Sequence, residues 1–141
     1  MEIKYDISKQ DVIETNQKII ALKFDELDVF CVRQDVLDDV LEMFDKFETT
    51  NDLPGLIKKG AYLMASIAWA QPFCGGNKRT ASLIAATFFH QNGYEMVIPE
   101  DGKELRKLLY DIQDDRSGLN EAIMERIIFY ISNTITYHEP R

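Results

Sequence analysis

Residues 71–79 read Gln-Pro-Phe-Cys-Gly-Gly-Asn-Lys-Arg, the stretch of this chain best equipped for chemistry. Gly75 and Gly76 permit backbone conformations closed to other residues, so successive N–H groups can turn into one concavity. Pro72 ends a preceding helix, and the next begins near Asn77, where the first N–H groups have no intrahelical acceptor. Add the positive dipole end and the cations Lys78 and Arg79, and the result is an anion site suited to phosphate. Arg79 can hold two phosphate oxygens with its planar fork. The alternative is a tight interhelical connection whose Lys and Arg simply face water. The spacing is not that of a Walker loop, which needs Gly-x4-Gly-Lys-Ser/Thr. Cys74, near a helix N-terminus, is a candidate nucleophile of lowered pKa, but no base stands near it in the sequence. Gln71 offers only an amide, which hydrogen-bonds and takes no proton.

Helices must position this loop. Ser8, with Asp11 three residues on, caps a first helix running through Lys23. The stretch 27–34, Leu-Asp-Val-Phe-Cys-Val-Arg-Gln, is rich in β-branched and aromatic residues and reads as a short strand or hairpin arm. Apolar residues at helical spacing predict a helix over 35–48. Its acidic residues, Asp35, Asp38, Asp39, Glu42, Asp45 and Glu48, form a solvated face or, as a lesser reading, a partner-docking one. A helix over 54–70, with Pro54 in its first turn, is nearly apolar in its second half and therefore buried. Another spans 77–91 and stops at Asn92-Gly93. A short strand (94–99) and helices near 102–113 and 118–135 complete a mainly helical, all-α fold with at most a small β-hairpin or flap. Trp69 and Phe73 are expected in the core.

Composition narrows the partners. The 141 residues make one domain, 1–141, with 45% apolar and 28% charged residues. A net charge of −8, with no basic run longer than two residues, argues against nucleic acid as a ligand. No apolar run is long enough to span a bilayer, and the polar, acidic N-terminus excludes a secretory signal. Cys31 and Cys74 do not make a disulfide framework, so a reduced, cytoplasmic setting is expected.

The loop resembles the active-site motif of Fic/Doc (Fido) proteins, His-Pro-Phe-x-Asp/Glu-Gly-Asn-Gly/Lys-Arg. Pro72, Phe73, Gly76, Asn77, Lys78 and Arg79 match it, and the similarity in surrounding pattern covers about residues 24–130. The resemblance implies a mainly helical Fido fold and transfer of part of ATP, or of another nucleotide, onto a hydroxyl of a target protein. AMP transfer (AMPylation) is the common outcome. Doc-type toxins, which carry Asn-Lys-Arg as this chain does, move a phosphoryl group instead. Ser82, where many AMP-transferring members have a second arginine, points to the Doc side. By the same resemblance Asn77 and Arg79 bind phosphates, and Gly76 and Lys78 line the anion pocket.

Two positions depart from the motif. The family's general-base histidine is Gln71 here, and its acidic Mg²⁺ ligand is Gly75. General-base catalysis contributes roughly two to four orders of magnitude in rate, and Mg²⁺ favours anionic oxygen. A bound Mg²⁺ is therefore not expected. The leading expectation is a pseudoenzyme of nucleotidyltransferase ancestry that keeps phosphate or nucleotide binding. An active transferase using a non-standard base and a non-catalytic module docking an antitoxin-like or target protein are the alternatives. His90 and His138 are weak substitutes for the base, and Ser117–Ala122 only superficially matches the family's inhibitory helix pattern.

Overall fold

Side-chain caps open three of the helices in the computed structural model, which describes residues 1–98, 102–115 and 118–137. The Ser8 hydroxyl accepts from Asp11 N at 3.1 Å, and the Asp11 carboxylate accepts from Ser8 N at 2.8 Å. This capping box opens α1 (Lys9–Ala21), which stops two residues before the expected Lys23 because Lys23 turns left-handed, φ 54°. Helix α2 (Gln34–Lys46) buries Leu37, Val40 and Phe44; the five acidic residues expected on its outer face within that range are exposed, as is Glu48 just beyond its end. Asp52 opens α3 (Leu53–Ala70), its Oδ1 accepting from Gly55 N at 2.9 Å and from Thr50 Oγ1 at 2.6 Å. These bonds hold the Asp52 carboxyl below its ordinary pKa, the Thr50 bond contributing most.

The centre of the molecule is α3 packed on α4 (Asn77–Gln91). Leu56, Leu63, Met64 and Ile67 of α3 have no exposed surface, nor do Ala85, Phe88 and Phe89 of α4. Each large side chain so buried contributes roughly 1.5–3 kcal/mol. A Cβ at Gly60 would run into the Phe89 ring, so glycine is what lets the two helices approach.

Beyond α4, Gly93 turns at φ 86° into β1 (Tyr94–Met96). Helices α5 (Lys103–Asp114) and α6 (Glu121–Thr134) follow, α6 capped by Asn120, and the last element is β2 (Ile135–Tyr137). Strands β1 and β2 pair antiparallel, Tyr94 opposite Tyr137 and Met96 opposite Ile135. The N-terminal segment docks on the same end of α4. Asn92 exchanges two hydrogen bonds with the Lys4 backbone, at 2.7 and 2.8 Å, and Gln91 two with that of Asp6, at 3.1 and 3.0 Å.

The mainly helical expectation holds, with six helices and one two-stranded sheet among the described residues. Besides shifts of a few residues at element ends, three details differ. Residues 27–34 form no strand; one bridge, Val32 to Phe73, is their whole β-character. Residue 135, expected at the end of the last helix, belongs to β2, which pairs far along the chain where periodicity gives no signal. Trp69 is 43% exposed rather than core, because the last turn of α3 carries it outward, where its Nε1 donates to Asp115 O at 3.1 Å. No helix among the described residues is long and apolar enough to cross a membrane.

Candidate anion and nucleotide site

Helix α3 ends on Gln71 in the left-handed conformation, φ 51° and ψ 64°, its N–H still bonded to Ile67 O at 3.1 Å. From there the loop turns inward and buries Phe73, 1% exposed, in the core. Asn77 closes it. Its Oδ1 accepts from Phe73 N at 3.0 Å, and its Nδ2 donates to Phe73 O at 2.9 Å. Both ends of that buried carboxamide are occupied by backbone, so Asn77, expected to bind phosphate, shapes the loop with its side chain. Gly76 precedes α4 at φ 70°, where a Cβ would crowd Asn16 and Ile19 at 3.2 Å.

Asn16 was not singled out in the sequence. Fully buried beneath the loop, it donates from Nδ2 to Gly75 O at 2.8 Å and to Thr80 Oγ1 at 3.1 Å. The signal was its spacing, since Asn16 lies on the face of α1 that buries Val12, Ile19 and Ile20. A polar residue on such a face must find a partner inside.

Residues 27–34 lie across the loop as a flap. Arg33 N donates to Pro72 O at 2.7 Å, and Cys74 N to Cys31 O at 3.2 Å. The Arg33 guanidinium adds bonds to Gln71 O at 2.6 Å and Phe73 O at 3.1 Å. Cys31 and Cys74 are joined as a disulfide, their Cα atoms 5.3 Å apart. This corrects the expectation of two reduced cysteines. The flap brings together residues 43 positions apart, a proximity that counting cysteines cannot reveal. It also removes Cys74 as a nucleophile, since a bonded sulfur carries no thiolate. Asp25 Oδ1 accepts from Leu27 N at 2.9 Å, forming a turn that sets Asp28 against Gly75. A Cβ built on Gly75 would lie 2.7 Å from Asp28 Oδ1.

The cations stand on the first turn of α4 beside an open cleft of about 640 Å³ between α1, α4 and α5. Lys78 donates to Gln113 Oε1 and sits over the Tyr110 ring, 4.3 Å from its centroid. Arg79 lies over the Phe24 ring at 3.8 Å. Arg106 of α5 lines the same cleft, whose walls also include Ser82 and Leu109. Of the residues singled out in the loop, Lys78 and Arg79 line this cleft and Gly76 does not, and Arg106, Phe24 and Tyr110 join them. His90, bonded to Glu95 at 2.7 Å, is at the opposite end of α4. At 1.5 Å per residue, the twelve residues from Lys78 put it roughly 18 Å away. His138 and Ser117 lie outside the described residues.

No curated protein matches the chain. Residues 6–89, from the N-terminal segment to the last turns of α4, match the Fic/DOC family. The match spans more than half of the chain and contains α1, which the expected range of 24–130 omitted although it carries Asn16. With the helix–loop–helix of α3 and α4 at its centre, this chain belongs to the Fic/DOC family.

Proposed function

We propose that the chain binds a phosphate-bearing ligand, a nucleotide such as ATP, at the start of α4, and that it transfers AMP or phosphate far more slowly than a Fic/DOC protein with the full motif. The observation that carries the binding reading is the meeting of three cations, Lys78, Arg79 and Arg106, with the open cleft beside the N-terminus of α4. Backbone N–H groups of a helix start, a dipole end and guanidinium forks are complementary to phosphate oxygens. Phe24 and Tyr110 back the two cations, and Leu83, Ile98 and Leu109 give the cleft apolar walls of the kind a nucleobase packs against.

The catalytic part of the reading rests on Gln71. This residue stands where the family motif has its base, and its amide cannot accept a proton from a target hydroxyl. His90 is too distant to replace it. A bound nucleotide would therefore be held and oriented without the deprotonation that makes a hydroxyl attack.

Family ancestry also implies Mg²⁺, which shares phosphate charge and polarises the phosphoryl oxygens when bound. Position 75 offers no carboxylate, but Asp28 sets one beside it. Asp28 is the residue of this chain that would hold such an ion.

Calorimetric titration with ATP tests the binding reading. Measurable affinity that Arg79→Ala weakens is the expected result, and equal affinity in both proteins would refute the assignment. Incubation with α- and γ-labelled ATP and lysate tests the second part; robust labelling by the unmodified protein would refute it.

A further inference from the structure

Gly75 brings no side chain to the start of α4, yet an acid from the flap has been placed there. Asp28 Oδ1 would be 2.7 Å, and its carboxyl carbon 2.9 Å, from a Cβ on Gly75. The Asp28 side chain is half-buried and makes no hydrogen bond or ion pair among the described residues. Its place is not accidental slack in the chain. The Asp25 turn fixes the backbone on one side, where Asp28 N donates to Asp25 O at 3.1 Å. On the other side, three residues on, the Cys31–Cys74 bond and the Cys74 N to Cys31 O hydrogen bond fasten the flap to the loop.

An unpaired carboxylate beside an anion-binding helix start poses an electrostatic problem. A phosphate seated on Gly76, Lys78 and Arg79 would approach a like charge in a partly desolvated place, which weakens binding. The conflict disappears if a divalent cation lies between the two anions. Small hard cations suit such an arrangement, because Mg²⁺ is commonly held by one or two protein carboxylates together with ligand phosphates and water. No three potential metal-ligating side chains gather anywhere among the described residues, so an ion here would depend on the phosphate for its remaining charge.

The geometry points to Asp28 as a carboxylate supplied from the flap in place of the one missing at position 75, so that phosphate and a divalent cation bind together. This inference rests on the binding reading above. It deepens that reading by making the binding of phosphate and of the cation depend on each other through Asp28. The flap then contributes to the ligand site, and the gap at Gly75 is filled in space by a residue 47 positions earlier in the chain.

Calorimetry of ATP binding, in EDTA and with Mg²⁺ at concentrations that saturate ATP, tests it on the wild type, Asp28→Asn and the exchanged pair Asp28→Gly/Gly75→Asp. Circular dichroism melts check that each variant is folded. In EDTA, Asp28→Asn should bind ATP as well as the wild type or better, because a repelling charge has gone. With Mg²⁺ the wild type should tighten about tenfold, Asp28→Asn should not, and the exchanged pair should regain the gain. Mn²⁺ paramagnetic resonance should show ATP-dependent immobilisation of the ion in the wild type and not in Asp28→Asn. An Mg²⁺ response that is absent from the wild type, or equal in wild type and Asp28→Asn, would overturn the metal role. In that case ATP binding sensitive to Arg79→Ala would leave the binding reading standing. ATP binding in neither buffer would overturn both.

Discussion

Arg79 lies face-on to Phe24, its guanidinium carbon 3.8 Å from the ring centroid. The contact ties the first turn of α4 to the segment that follows α1 and holds the guanidinium in a set orientation before any ligand arrives. Cation–π contacts of this kind contribute about 0.5–2 kcal/mol. Arg79→Ala should weaken ATP about tenfold or more through the lost charge-assisted contact. Phe24→Ala should weaken it only a few-fold, since the charge remains and only its orientation is relaxed. Calorimetric titration of both variants gives the comparison, and a larger loss in Phe24→Ala would show that Arg79 does not meet the phosphate.

Restoring transfer requires more than restoring two residues. Gln71→His should be tolerated, because histidine is among the residues enriched in the left-handed conformation found at position 71. Alone it should yield little labelling from radiolabelled ATP. Gly75→Asp lacks a positive φ to oppose it, but its side chain would collide with Asp28 and bring two carboxylates together. The double variant Gln71→His/Gly75→Asp should therefore label less than a triple variant that also carries Asp28→Ala. Gel autoradiography of the three variants tests the order, and a double variant that outperforms the triple would contradict it.

Asn77 is expected to act on the fold. Asn77→Ala would leave the Phe73 N–H without a partner in a buried loop, at about 1–3 kcal/mol, and its C=O with the Arg33 guanidinium alone. A clearly lowered melting temperature is the expected outcome. An Asn77→Ala protein that melts like the wild type while losing ATP affinity would return the residue to the role of phosphate ligand.

Reduction of Cys31–Cys74 should destabilise the protein without unfolding it. Opening a bond between residues 43 apart forfeits about 2–4 kcal/mol. Two backbone hydrogen bonds and two from the Arg33 guanidinium still hold the flap to the loop. Thermal melts with and without dithiothreitol should differ for the wild type and coincide for Cys31→Ser/Cys74→Ser.

Acid should weaken the start of α3 first through Asp52. Its folded pKa is lowered by the Thr50 and Gly55 hydrogen bonds, so its stabilising contribution is present above its ordinary value of 3.8 and is lost as pH falls through the folded value. Asp52→Ala should lower the melting temperature by a few degrees at neutral pH. The gap to wild type should narrow toward pH 2, which melts across that range will reveal.

Much of this architecture was written locally. The capping box at Ser8, the Asp52-Leu53-Pro54 start of α3 and the Asn92-Gly93 stop each involve residues within a few positions of one another, so the sequence carries them openly. The tight connection between α3 and α4 was legible for the same reason, as Pro72, Gly76, Lys78 and Arg79 are nearly consecutive. What escaped were relationships across the chain. Asn16 under Gly75, Asp28 over it, Arg106 across the cleft and the Cys31–Cys74 bond all depend on tertiary approach. Asn77 is a different case, because its motif position says nothing of which way the carboxamide faces.

The two flanks of the domain share one anchorage. Lys4 and Asp6 are bonded to Asn92 and Gln91, and Ile135–Tyr137 pairs with the strand immediately after them. Helix α4 separates that anchorage from the anion loop by its fifteen residues, roughly 22 Å. A tag, fluorophore or surface tether joined near either flank is thus carried at the pole away from the ligand site. A molecule immobilised this way offers its loop, flap and cleft to solution.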